Sequence, residues 1–112
     1  MAEKLVRNKI ADFSHEKKDG RVFRVATPEE LPGLLASKLI EECGEVIEEL
    51  KKEVIDRARL SEELADCCEV IHEIGELINL YPVDLRTVMF EKCMEKGSFS
   101  QHVVLTIKRE RL

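Results

Sequence analysis

Apolar residues recur through the middle of the chain with a helical period. Leu35, Leu39, Cys43, Val46, Leu50 and Val54 follow one another at steps of four and three, with Ile40 and Ile47 beside them. On a helix of 3.6 residues per turn these positions make one stripe. Thr27-Pro28-Glu29-Glu30 opens the segment as a helix start, with a capping hydroxyl, a proline at the first position and acids in the first turn. Pro32 and Gly33 follow at once, so the regular helix is expected to begin as late as residue 34. A second stripe, Leu64, Cys67, Cys68, Ile71, Ile74, Gly75 and Ile78, is set off by a break over residues 56–60. Ser61 is its expected N-cap, and Asn79, before Tyr81-Pro82, its expected end. A third helix is expected from Val83 to Glu95, stopped by Gly97.

The flanks differ. Residues 1–13 carry a short amphipathic pattern (Leu5, Val6, Ile10, Phe13), and His15 to Gly20 reads as a polar turn. Arg21 to Val25 alternates, and Val103 to Ile107 is rich in β-formers, so the two are expected to pair as a small ribbon. The expected fold is mainly α: an antiparallel helical bundle with a minor β ribbon, in a single domain spanning residues 1–112. Helices this few leave apolar faces uncovered, which implies completion by homo-oligomerisation, as a homodimer or homotetramer.

Composition narrows the function. At 112 residues with 44% hydrophobic content, the chain suits one core. No apolar run approaches the ~20 residues of a membrane span, and the opening MAEKLVRNKI lacks the apolar stretch of a signal peptide, so a cytoplasmic protein is expected. With 4% aromatic residues and no Trp, a stacking platform for single-stranded nucleic acid is disfavoured. Cys43, Cys67, Cys68 and Cys93 fall among apolar helical positions without metal-finger spacing and read as small, buried, reduced thiols.

The net charge of -5 is unevenly spread: +3 over residues 1–24, -10 over residues 25–80 and +2 over residues 81–112. An acidic centre repels a nucleic-acid backbone and suits a site that holds cations and receives an anion from its basic edges. The same counts also describe plain solvated helix faces.

Position decides more than count. Glu42, Glu45 and Glu49 lie within a ~60° band along one edge of the first apolar stripe. Glu42 and Glu45, at i and i+3, aim at one point. In the second helix Glu63 and Asp66 repeat that spacing; Glu63 lies between Val70 and Ile74 inside the apolar arc, and Asp66 borders it beside Leu77. A carboxylate there needs a partner, and residues 25–80 hold five Lys/Arg against fifteen acids. Packed antiparallel, the two pairs face one another as an all-oxygen cluster suited to Mg²⁺ or Mn²⁺ rather than Zn²⁺. The alternative is a helix pair with solvated acids, Glu63 turning aside or pairing with Arg57 or Arg59.

Glu41-Glu42-x-x-Glu45 followed by Glu63-x-x-Asp66 resembles the all-α nucleoside triphosphate pyrophosphohydrolases, the MazG-like superfamily. Lys4-Leu5-Val6-Arg7-Asn8-Lys9-Ile10 and Lys92-Cys93-Met94-Glu95-Lys96-Gly97-Ser98-Phe99 resemble its small single-domain branch, the phosphoribosyl-ATP pyrophosphohydrolase-like proteins. The resemblance runs over nearly the whole chain, with two departures: Asn8 where the branch has Asp, and Lys96-Gly97-Ser98-Phe99 where it has Arg-Gly-Gly-Phe. It implies that Glu42, Glu45, Glu63 and Asp66 ligate Mg²⁺. The implied reaction is hydrolysis between the α- and β-phosphates of a nucleoside triphosphate, giving a nucleoside monophosphate and pyrophosphate. Glu41 or one of the four ligands would accept the water's proton. Lys38, one turn before Glu42, is a candidate phosphate contact, and Arg7, Lys9, Lys92 and Lys96 are further candidates from the basic flanks.

Other readings have less behind them. Glu69-x-x-His72 occurs once where a di-iron bundle needs it twice, and His72 lies opposite Glu63 on the wheel. No phosphate-binding loop of the G-x-x-x-x-G-K-[ST] type is present, and Cys93 beside Lys92 is a poor nucleophile candidate. His15 and His102 are isolated. A non-catalytic helical oligomerisation or regulatory module remains the alternative function. Phe13, Phe23, Tyr81, Phe90 and Phe99 are the available base-stacking side chains, and the sequence does not choose among nucleotides.

Overall fold

The computed structural model describes residues 3–11 and 20–109. Phe13, His15 and most of the expected polar turn lie outside them. A 3₁₀ turn over Asn8–Ile10 precedes three helices, α1 (Leu31–Leu50), α2 (Arg57–Glu76) and α3 (Pro82–Lys96). The chain forms two compact units, Met1–Leu80 with α1 and α2, and Tyr81–Leu112 with α3. The protein is mainly α, and no helix among the described residues is long and apolar enough to cross a membrane.

Local chemistry explains each boundary. Ahead of α1 the Thr27 hydroxyl accepts from the Glu30 amide at 3.4 Å, and the Glu30 carboxylate accepts from the Thr27 amide at 3.0 Å. This reciprocal cap lets the helix start at Leu31 and carry Pro32 and Gly33 in its first turn, three residues before the expected point. In α2 the expected Ser61 cap is corrected. Asp56 caps instead, its Oδ1 accepting from the amides of Ala58 at 3.0 Å and Arg59 at 3.2 Å. Ser61 is one turn inside, its hydroxyl donating to the Arg57 carbonyl at 2.7 Å. An ionised carboxylate at a helix N-terminus also gains from the aligned peptide dipoles, which a hydroxyl does not.

α2 stops at Glu76, ahead of the expected Asn79. The Leu80 amide donates to the Gly75 carbonyl at 2.9 Å while Asn79 takes a left-handed φ of 54°. A Cβ on Gly75 would stand 2.8 Å from the Leu80 carbonyl oxygen, so only glycine permits that closure. In the second unit the Tyr81 amide donates to Asp84 at 3.0 Å to open α3, and Gly97, at φ 82°, ends it.

Among the described residues there is no β-strand. The ribbon expected of Arg21–Val25 and Val103–Ile107 is absent, and Val25, Val103, Val104, Leu105 and Ile107 are exposed. β-formers make a strand only when a partner supplies the ladder, and an isolated pair is marginal in water.

α1 and α2 run antiparallel against one another. Going up α1, Cys43 meets Cys67, Glu45 meets Glu63 and Glu49 meets Arg59, in descending order along α2. The buried apolar set is small, Leu35, Cys67 and Val70, and two glutamates, Glu42 and Glu49, are buried with it. The far end of the apolar stripe is solvent-facing, with Leu50 54% and Val54 82% exposed, as are Ile40 and Ile47 beside it. All four thiols are free, and only Cys67 is buried; Cys43, Cys68 and Cys93 are exposed, which corrects the expectation of four buried thiols. Burial first, then the neighbouring Cys43, pushes the Cys67 thiol up to about 11.

Candidate metal centre

The antiparallel packing brings three of the four predicted carboxylates to one place. Glu42, Glu45 and Glu63 each offer an oxygen, and these oxygens lie within 4.8 Å of one another. Glu42 is buried, Glu63 partly so, and Glu45 exposed, which gives the group one open side. Oε2 of Glu42 and Oε2 of Glu63 are both shut off from solvent without a hydrogen-bond partner. Such orphaned acceptors are uncommon in folded proteins; among the described residues the third is Oε1 of Glu49, which has Arg59 Nε at 3.5 Å, whereas the Glu42 and Glu63 oxygens belong to the crowded carboxylate group.

The electrostatics agree with the crowding. A hydrogen bond shared with Glu45, then loss of hydration, then the charges of Glu45, Asp66 and Glu42 push the Glu63 carboxyl up to about 7. Neither arginine that might have neutralised Glu63 does so by pairing with it in place of Glu45. Arg59 goes to Glu49, with its Nε 3.5 Å from Oε1. Hard carboxylate oxygens of high negative charge are the donor set that Mg²⁺ or Mn²⁺ takes, and they fit such an ion.

Asp66, the fourth predicted ligand, has another partner. Its Oδ1 accepts from Arg7, whose other amino group donates to Glu69. Those two hydrogen bonds, Glu69 first, hold the Arg7 guanidinium above its already high ordinary value. Asp66 still acts on Glu63 through its charge.

Glu41 points to cations rather than to the cluster, 3.4 Å from Lys38 Nζ and 3.5 Å from Lys4 Nζ. Burial raises its carboxyl, but Lys38 and Lys4 outweigh this and leave it below the usual glutamate range. Lys38 also lies 3.3 Å from Glu42 Oε1. Partial burial pulls its ammonium down, Glu42 and Glu41 more than offset that, and it ends above its ordinary value.

Lys38, Glu42, Asp66 and Arg7 line one cavity of about 680 Å³, whose apolar wall includes Leu35 and Val70. Glu42 joins it to the carboxylate group, Glu69 and Glu73 also line it, and its two cations are each ion-paired, Arg7 with Asp66 and Glu69 and Lys38 with Glu41 and Glu42. Lys9 is exposed in the 3₁₀ turn and is not part of this lining. Lys92 and Lys96 belong to α3 in the second unit, Lys96 in its last turn. His72 lies 3.6 Å from Glu76, one turn along its own helix.

Two features escaped the sequence. Glu49 sat in the acidic band, but nothing in the pattern marked it as buried against Arg59. The Arg7–Asp66 pair joins positions 59 residues apart and leaves no local signal. Compared with protein-family models, with curated proteins and with solved structures, the chain matches none.

Proposed function

We propose that the chain is a Mg²⁺-dependent nucleoside triphosphate pyrophosphohydrolase of the MazG-like, all-α type, active as a cytoplasmic homodimer or homotetramer. The observation that carries the reading is the Glu42–Glu45–Glu63 group, with two orphaned oxygens, beside a cavity walled by Lys38 and Arg7. The exposed apolar residues of α1 and α2, Ile40, Ile47, Leu64 and Ile71 among them, support the oligomer.

Glu42, Glu45 and Glu63 would hold Mg²⁺ (Mn²⁺ as substitute), and Asp66 would be the fourth ligand once released from Arg7. When bound, the divalent ion neutralises phosphate charge and lowers the pKa of a coordinated water. Lys38 and Arg7 meet the non-bridging phosphate oxygens from the cavity wall. Water oxygen adds to the α-phosphorus, and the bond from that phosphorus to the α,β-bridging oxygen breaks. Pyrophosphate leaves with that oxygen, and the water's proton passes to a carboxylate. Glu41 or one of the four ligand carboxylates accepts it; Lys38 and Lys4 hold Glu41 ionised, which leaves it free to take a proton but lowers its basicity.

The competing reading is a non-catalytic helical oligomerisation module, favoured by the small core and the exposed apolar stripe. Pyrophosphate release from a panel of canonical and modified nucleoside triphosphates and phosphoribosyl-ATP decides between them. Release with Mg²⁺ and none with EDTA supports the enzyme. Orthophosphate in place of pyrophosphate refutes the cleavage site, and no turnover together with no Mg²⁺-dependent thermal shift favours the module.

A further inference from the structure

A third glutamate of the acidic band has no part in the chemistry above, yet it is among the most buried side chains of the first unit. The Glu49 side chain is 6% exposed; Lys52 Nζ donates to its Oε2 at 2.8 Å, and Arg59 Nε lies 3.5 Å from its Oε1. Among the described residues, Glu49–Arg59 is the one ion pair that joins α1 to α2.

Its place along the helices is what matters. Glu49 follows Glu45 by one turn of α1, and Arg59 precedes Glu63 by one turn of α2. In an antiparallel pair these are adjacent rungs. The Glu45–Glu63 rung sets two carboxylates against each other, and the next rung pairs a carboxylate with a guanidinium. The apolar contact is thin here: Leu35, Cys67 and Val70 are the buried apolar side chains, with Leu39, Val46 and Ile74 half-buried. Glu49 has one counter-ion three residues along its own segment, Lys52, and one across the helix pair, Arg59; only the second depends on the alignment, and fixing register is the best-attested use of such groups.

We infer that Glu49 is a positioning residue: its buried carboxylate, held by Arg59 and Lys52, sets the register at which α1 presents Glu45 to Glu63 of α2. Its value to function rests on the proposed reading of Glu42, Glu45 and Glu63 as a metal site. Its effect on register does not.

Two readouts separate these. Mn²⁺ affinity, from the electron paramagnetic resonance of free Mn²⁺, reports the assembled carboxylates. The register is read without metal by the rate at which diamide joins Cys43 to Cys67 in a Cys68→Ser, Cys93→Ser background, since those sulfurs lie 3.8 Å apart across the same helix pair. Glu49→Gln and Arg59→Gln should each weaken Mn²⁺ binding by about 10- to 100-fold, as loss of groups that orient metal ligands does. Each should also slow the cross-link. The double variant should be no weaker than the worse single, and Arg59→Lys, which keeps the charge, should stay close to the parent.

Folded Glu49→Gln protein with the parent's Mn²⁺ affinity and cross-linking rate would overturn the inference, as would losses that multiply in the double variant. If Glu49→Gln does not fold, Arg59→Gln, altering a side chain that is 62% exposed, carries the same comparison. Should the parent bind no Mn²⁺, the metal reading fails by itself. The metal-free cross-linking rates then decide the register alone, slower in the variants if Glu49 sets it and unchanged if it does not.

Discussion

The Arg7 guanidinium donates to the Asp66 carboxylate, so the N-terminal segment neutralises the one predicted ligand that stands apart from the three clustered glutamates. Under the proposed function Asp66 exchanges this counter-ion for the metal, and Arg7 is released toward the phosphates. Arg7→Gln should therefore strengthen Mg²⁺ binding a few-fold in the absence of nucleotide and raise KM for the nucleotide. Titration calorimetry and steady-state kinetics check the two signs. A variant with weaker Mg²⁺ binding would make Arg7 a structural tie only.

Glu63→Gln removes a negative charge from a crowded group whose carboxyl already holds its proton up to about pH 7. In EDTA at pH 8 the variant should melt above the parent, because the repulsion with Glu45 is gone. Its turnover should nevertheless fall by at least the ~100-fold known for groups one step removed from a metal. A parallel loss of stability and activity would instead indicate a folding defect.

The metal-free protein should lose stability as pH rises. Glu63 titrates near 7 folded against 4.5 unfolded, so between those values the folded state binds the extra proton. The contribution is fully present below pH 4.5 and is lost as pH passes through about 7. Glu30 and Glu41 are shifted downward, so their contribution is lost only below 4.5 and does not mask this window. Melting curves in EDTA across pH 4.5 to 8 test it. Saturating Mg²⁺ should reverse the slope, since the ion competes with the proton; a flat profile in both buffers argues against a shared proton.

Capping discriminates where α2 begins. Asp56→Ala should cost about 1 kcal/mol, since the amides of Ala58 and Arg59 lose their acceptor. Ser61→Ala, inside the helix, should change stability by less than about 0.5 kcal/mol. Urea unfolding compares the two, and the opposite ranking would move the helix start to Ser61.

The apolar period placed two helices along the chain and the Tyr81-Pro82 and Gly97 boundaries a third, and α3 differs from its expected span by one residue at each end. The i, i+3 carboxylate pairs were equally legible, because which residues share a face depends on 3.6 residues per turn and nothing else. Boundaries were less so: Asp56 and Ser61, five residues apart, are both good caps, and the apolar pattern does not say at which of them the helix begins.

What the sequence by itself determined is therefore local: helical character, the acidic edge of α1, and the glutamate out of place in the apolar arc of α2. Tertiary structure alone decided that Glu63 meets Glu45, that Asp66 is taken by Arg7, and that Glu49 is buried against Arg59. It also left residues 21–25 and 103–107 without strands. The division has a physical cause. Periodicity and capping act between residues a turn apart, whereas the partner of a charge is whichever group the folded backbone brings within a few ångströms, and sequence separation does not record that distance.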